Sequence, residues 1–203
     1  MWSRIERVAQ PTDEALLLAE VKGQLRIDAV VTDDDAFLTR CIKAAREMVE
    51  GPDGAGVAIM ASQWRVGLDC LPAEVRIPMG PVLSIDSIVY LDSDGAEQTL
   101  DPAGYQWRRG HYEARILPAY NAFWPATRLQ YNAVTIEFTA GFTGTEEDPV
   151  KRDMIPSHLL VAMRMLIAHW HMNRATSVVG KVPTEIQHGF EDIINMFRVG
   201  RIA

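Results

Sequence analysis

The apolar residues of this 203-residue chain change their repeat twice, and that change limits the folds open to it more than any single motif does. Up to about residue 50 they recur every three to four positions, from Ser62 to Phe142 they alternate, and beyond Pro156 the helical spacing returns. Residues 18–27 place Leu18, Val21, Leu25 and Ile27 on a short helix that Gly23 weakens. A longer helix opens at Thr32-Asp33-Asp34-Asp35, a cap followed by carboxylates at the positive end of the helix dipole. Its apolar face is Phe37, Leu38, Cys41, Ile42, Ala45, Met48 and Val49. Gly51-Pro52-Asp53-Gly54-Ala55-Gly56 ends it, because proline and clustered glycines cannot continue a helix.

Alternation then takes over, with Trp64, Val66 and Leu68, Val75 and Ile77, then Leu83, Ile85 and the Ile88–Leu91 run. Asp92-Ser93-Asp94-Gly95 reads as a hairpin turn, and shorter strands are predicted at Tyr105–Arg109, Ala114–Leu117 and Ala133–Phe142. Thr143 to Pro149 is an acidic, turn-rich linker. Pro156 opens a helix carrying Leu159, Leu160, Met163, Leu166, Ile167 and Trp170, and Ala175 to Pro183 reads as a loop. Thr184 with Gln187 forms a capping box for a final helix with Ile186, Phe190, Ile193, Ile194 and Phe197 on one stripe. The predicted order is helix, helix, strands, helix, helix. Two helices alone cannot cover a stripe on each, so the terminal pairs are expected to pack on each other. The predicted fold is α+β: a helical bundle from the N- and C-terminal helix pairs (1–55 and 150–203) with an inserted small antiparallel β unit (56–149).

With 48% apolar and 23% charged residues the chain can bury a core, which excludes wholesale disorder. Its net charge of −7 argues against binding nucleic acid or anionic lipid by bulk charge. The charge is uneven. Residues 1–50 hold seven basic against ten acidic side chains, 51–150 six against thirteen, and 151–203 seven against four, so only the last segment is net positive. Two cysteines, Cys41 and Cys70, are too few for a disulfide scaffold or a four-cysteine zinc site and suit a reducing compartment. The first ten residues lack the apolar stretch of a signal peptide, and no window reaches the 18 or more apolar residues of a membrane span, so a soluble chain without a membrane partner is expected.

Chemistry finds no foothold. His169 and His171 are two apart, which points them to opposite sides of a helix, and His158 shares a face with His169 without a third ligand, so no metal is expected. Asp33-Asp34-Asp35 lacks the alternation, central glycine and distal glutamate of a calcium loop and reads as helix capping. Phosphate-binding glycine motifs are missing, Ser157 beside His158 has no nucleophile-elbow context, and Cys41 lies on an apolar stripe. No catalytic residue and no cofactor are expected. Tyr105-Gln106-Trp107-Arg108-Arg109 interleaves aromatics with arginines as a base-stacking strand does, but in an acidic segment cross-strand packing is the better reading.

Several stretches taken in order resemble a family. Leu18-Ala19-Glu20-Val21-Lys22-Gly23-Gln24-Leu25-Arg26-Ile27 resembles the opening helix of the adaptor, or head-tail connector, proteins of long-tailed bacteriophages and phage-like gene transfer agents. Ala44-Ala45-Arg46-Glu47-Met48-Val49-Glu50-Gly51 resembles the end of their second helix. The resemblance runs on through Pro78 to Ile85, Ala114 to Pro118, Trp124-Pro125 and Thr139 to Phe142, and closes with Ala168-His169-Trp170, Asn173-Arg174 and Val182-Pro183-Thr184-Glu185. It departs at Pro52-Asp53-Gly54-Ala55, where an aromatic-Thr-Gly-Arg-like turn is typical.

The resemblance implies a structural protein without catalysis. It would form a homo-oligomeric ring, commonly a dodecamer, beneath the portal protein of a filled capsid. On its other side it would meet a tail-side connector or tail terminator, while DNA passes through the channel without specific binding. The place implied is the head-tail junction of a virion or gene transfer agent particle assembled in the bacterial cytoplasm. The resemblance also puts the portal contact at the C-terminal end, on Phe190, Ile194, Phe197, Arg198 and Arg201, where arginines follow the last apolar turn. A tail-terminator or tail-tube ring subunit, and a small hydrolase using the histidines of the third helix, are the alternatives.

Overall fold

The structure is a computed structural model and describes residues 2–51, 54–110, 112–142, 154–173 and 184–197. The chain opens with a strand, β1 (Trp2–Arg7), followed by two helices, α1 (Leu18–Gln24) and α2 (Asp35–Val49). Seven strands come next: β2 (Ser62–Leu68), β3 (Val75–Ile77), β4 (Val82–Leu91), β5 (Glu97–Thr99), β6 (Tyr105–Arg109), β7 (Ala114–Pro118) and β8 (Val134–Ala140). Two helices, α3 (Ser157–Met172) and α4 (Thr184–Phe197), follow.

Alternation in the sequence becomes alternation of burial. In β2 and β8 every second residue is buried, and the buried residues are direct cross-strand partners: Trp64 with Phe138, Val66 with Ile136, Leu68 with Val134. These strands sit inside a five-stranded antiparallel sheet of order β1-β2-β8-β4-β5. Along β4 the register against β8 shifts twice, between Val82 and Ser84 and between Ile85 and Ser87, so this strand loses strict alternation. A second antiparallel sheet, β3-β7-β6, faces its Val75, Ile77, Ala114 and Ile116 into the same core as Val66, Ile88, Ile136 and Phe138.

A separate core is helical. Leu38, Ile42, Ala45 and Val49 of α2 meet Leu159, Ala162, Met163 and Ile167 of α3, with Val21 of α1 and Ile194 of α4 at its margin. Between the two cores runs a fully buried stretch after α2. Gly51 (φ 83°) and Gly56 (φ 74°) take the left-handed backbone that side chains disfavour and turn the chain into it. Val57, Ile59 and Met60 join the helical core, whereas Ala58 joins the sheet core.

This corrects the fold expected from sequence. The chain is not a helical bundle built from N- and C-terminal helix pairs around a small inserted β unit; among the described residues four α-helices accompany eight strands in two antiparallel sheets. The N-terminus belongs to the larger sheet, because β1 pairs antiparallel with β2, Ile5 opposite Val66 and Arg7 opposite Trp64. With only seven residues, α1 is too short to serve as a bundle helix.

Sheet and helices are tied by one buried ionic network. Glu50, just past α2, has a fully buried carboxylate. Its Oε2 accepts from Arg46 Nη1 at 2.6 Å and from Arg7 Nη2 of β1, and its Oε1 accepts from the backbone N–H groups of Ile59 (2.8 Å) and Met60 (3.1 Å). Arg46 also donates to Glu14 through Nε at 2.7 Å and Nη2 at 3.2 Å, and Gln10 accepts from both arginines. The Arg7 guanidinium lies 4.5 Å over the Trp64 ring, whose Nε1 donates to Ser62. Burial alone would pull the Arg46 pKa down, but the hydrogen bond and charge of Glu14, joined by Glu50, outweigh it and hold it above its ordinary value.

A buried carboxylate costs several kcal/mol unless its lone pairs are filled, and here four donors fill them. Glu50→Gln keeps the shape and leaves two arginines without their shared anion, so urea denaturation is expected to show a loss of about 3–5 kcal/mol. Glu47→Gln, which removes only the exposed 3.9 Å pair with Lys43, is expected to cost under about 1 kcal/mol in the same measurement.

Candidate functional site

The groups that most resemble chemistry in the sequence are spent on structure. Asp35, at the start of α2, pairs at 2.9 Å with the buried Lys22, whose Nζ also donates to the carbonyls of Ala29 (3.0 Å) and Val31 (2.6 Å). The aspartate thus closes the α1–α2 turn. Asp34 lies 3.6 Å from His171 Nε2, which brings the start of α2 to the end of α3. His169 Nδ1 is 3.2 Å from Asn173 Nδ2 on its own helix. Cys41 is buried, Cys70 is exposed, and no disulfide joins them. Among the described residues no three His, Cys, Asp or Glu side chains are gathered as metal ligands would be, and no helix is long and apolar enough to cross a membrane.

Two surfaces stand out for what they expose. The first is the outer face of the smaller sheet. Arg76 is the direct partner of Arg115, and Arg115 of Arg108, so three arginines stand in one row across β3, β7 and β6. Like charges directly opposite one another are unfavourable. Glu74 offsets part of this, accepting from Arg76 Nε at 2.8 Å and lying 3.7 Å from Arg115 Nη1, and Glu113 accepts from Arg115 Nε at 2.7 Å. The hydrogen bond from Arg76 outweighs desolvation and, with the charges of Arg115, Arg76 and Arg108, holds the Glu74 carboxyl below its ordinary range.

The second is the connection from β7 to β8. It is tethered at four points, three by backbone and one by a side chain: Ala119 N–H donates to Gly104 at 3.0 Å, Trp124 Nε1 to the Pro72 carbonyl at 2.7 Å, Arg128 N–H to Leu91 at 3.0 Å, and Asn132 N–H to Asp69 Oδ1 at 3.1 Å. Asn121 and Asn132 adopt positive φ, as asparagine in tight turns can. Between these fixed points Tyr120, Phe123, Leu129 and Tyr131 point into solvent.

The sequence reading does not single out these four residues. The signal available was a stretch, 119–132, with four aromatic side chains, one charge and neither apolar repeat, which no single element could bury. The residues it does single out divide. On α4, Ile194 is buried in the helical core, with Phe190 and Ile193 packed against it, while Glu191, Asp192, Asn195 and Met196 are exposed. The Phe197 side chain, Arg198 and Arg201 lie outside the described residues. Tyr105 to Arg109 form β6, with Tyr105 against the sheet core and Trp107 opposite Ile116.

Two antiparallel sheets joined to a four-helix core in this order form an α+β fold that recurs in solved gene transfer agent particles. A chain from the neck of an empty particle, computed with C6 symmetry, matches with a TM-score of 0.75 and 24% identity over 99% of this chain and 98% of its own. A chain from the virion of a native particle gives 0.74 and 23% over the same shares, and one from the neck of a native particle computed with C12 symmetry gives 0.67 and 22%. No family model and no curated protein matches the sequence.

Glu74→Gln removes one of the anions set among the arginine row. Because its folded-state pKa is lowered, the stability Glu74 contributes is present above the ordinary carboxylate pKa and is lost as pH falls through the lowered value. Chemical denaturation is therefore expected to find the variant less stable than the parent at pH 7 and low salt, with the gap closing in acid and in high salt.

Proposed function

We propose that the chain is a structural head-tail adaptor, a subunit of a ring beneath the portal of a DNA-filled capsid that gives the tail its docking surface and helps retain packaged DNA. The observation that carries this reading is the end-to-end likeness to a chain in the neck of a gene transfer agent particle, over 99% of this chain and 98% of that one. Neck structures computed with C6 and C12 symmetry support a ring of copies. The net charge of −7 favours a channel through which DNA passes without being gripped. The proposed neighbours are the portal protein on one side and a tail-side connector or tail terminator on the other. Particles made without this protein are expected, in negative-stain images, to be full heads without tails; normally tailed particles would overturn the proposal.

The portal contact belongs to the same proposal and lies at the end of α4 and beyond it, at Phe190, Ile194, Phe197, Arg198 and Arg201. Residues 151–203 carry seven basic against four acidic side chains, the only positive segment of an acidic chain. Since Phe190 and Ile194 pack on the helical core, they hold the helix in place, and the docking face is assigned to Phe197 and the arginines. Ending the chain after Asn195 leaves both core residues present. The shortened protein is expected to fold with near-normal thermal stability and to fail to join portal-containing heads; normal joining would remove the support for this contact.

A further inference from the structure

We infer that the β7–β8 connection is the contact by which one copy of this chain grips the next. Tyr120, Phe123, Leu129 and Tyr131 are 90%, 93%, 97% and 85% exposed, which sets them apart from the single exposed apolar residues that any surface carries. At roughly 150–250 Å² per aromatic side chain, three rings and a leucine present on the order of 600 Å². That approaches the ~800 Å² each partner contributes to a standard interface.

The exposure is built rather than incidental. Each outward residue lies beside a fixed one: Tyr120 follows Ala119, Phe123 precedes Trp124, Leu129 follows Arg128, and Tyr131 precedes Asn132. The Arg128 side chain also lies against Gly95 at the tip of the β4–β5 hairpin. A connection held by three backbone bonds and one indole has little freedom left to lose, so docking through it costs less ordering entropy than docking through a free loop.

Charge selects the occupant. Arg128 is the only ionisable side chain among residues 119–132 other than the two tyrosines, in a chain of net charge −7. Duplex DNA or an anionic lipid surface would find one cation there and a repelling molecule behind it. Two copies of this chain repel each other over most of their surface and can meet at low electrostatic cost where the surface is neutral and apolar. A closed ring also needs a heterologous contact, in which a projecting patch on one copy meets a different patch on the next, and an apolar arm suits that arrangement. The identity of the occupant rests on the ring reading given above.

The test places the photo-reactive amino acid benzoylphenylalanine at position 123, in place of Phe123, in the full-length chain made in cells that also make the particles. A second chain carries it at the exposed Val30 as a control. After irradiation, the expected result is a ladder at multiples of the chain mass, with position 123 joined to peptides of this same chain and at least tenfold less ladder from position 30. Cross-links from 123 that lead only to a different particle protein, to nucleic acid or lipid, or to nothing, would overturn the inference. Whether the chain is present in purified particles is scored separately. Its absence there would sink the neck reading while leaving a self-ladder standing, and its presence with a foreign cross-link would do the reverse. Phe123→Ser combined with Tyr131→Ser gives a second measure: circular dichroism like the parent's and a ladder from Bpa at Leu129 reduced at least tenfold, an undiminished ladder counting against the assignment.

Discussion

The relation between the helices and the sheets hangs on the carboxylate of Glu50. It sits one residue past α2, at the point where the chain leaves the helical core for the sheet core. Its two oxygens reach in both directions, one to the arginines of α2 and β1, the other to the backbone of the buried 57–60 stretch. Apolar packing is non-directional and would let the two cores slide against each other. Charge-assisted hydrogen bonds do not, because each has a narrow range of distance and angle. The network therefore specifies an arrangement that the apolar residues only stabilise, and any surface carried by the helices is held in fixed register with any surface carried by the sheets.

That coupling also explains why the N-terminal strand belongs where it does. Among the described residues β1 pairs along one side only, with β2, and an edge strand of six residues has limited hydrogen bonding to hold it. Arg7 adds what the ladder lacks: it reaches Glu50, shares Gln10 with Arg46, and covers the Trp64 ring of the neighbouring strand. The residues between β1 and α1 are recruited too, since Gln10 and Glu14 complete the arginine pairings.

What the sequence reveals divides along the same physical line. Repeats reveal elements that bury one face, so α2, α3, β2 and β8 are all legible, and the Asp92–Gly95 turn follows from the need for a positive φ at Gly95. Repeats say nothing about pairing over long separations. The 56 residues between Arg7 and its partner Trp64 hide β1 behind a short mixed run of apolar and charged side chains, and the helices at both ends then look like the frame of the molecule. Glu50 is equally hidden, because an acidic residue at the end of a helix reads as a solvated one until its partners are brought to it. The exposed β7–β8 residues escape for the opposite reason: burial patterns are the signal, and these side chains are defined by not being buried.

The neutral aromatic arm after β7 and residues 151–203, the one net-positive segment of the three, differ in charge, and the contacts proposed for them use that difference. Identical acidic copies approach one another most easily through uncharged patches, since like-charge juxtaposition can cost several kcal/mol. A different partner imposes no such symmetry of charge, so a cationic segment on an acidic chain can attract it from a distance and set its orientation before contact. The arginine row on the smaller sheet fits neither role fully. Glu74 and Glu113 already engage Arg76 and Arg115, leaving a face of mixed sign that offers neither an uncharged patch to a second copy nor a strongly cationic one to a different partner.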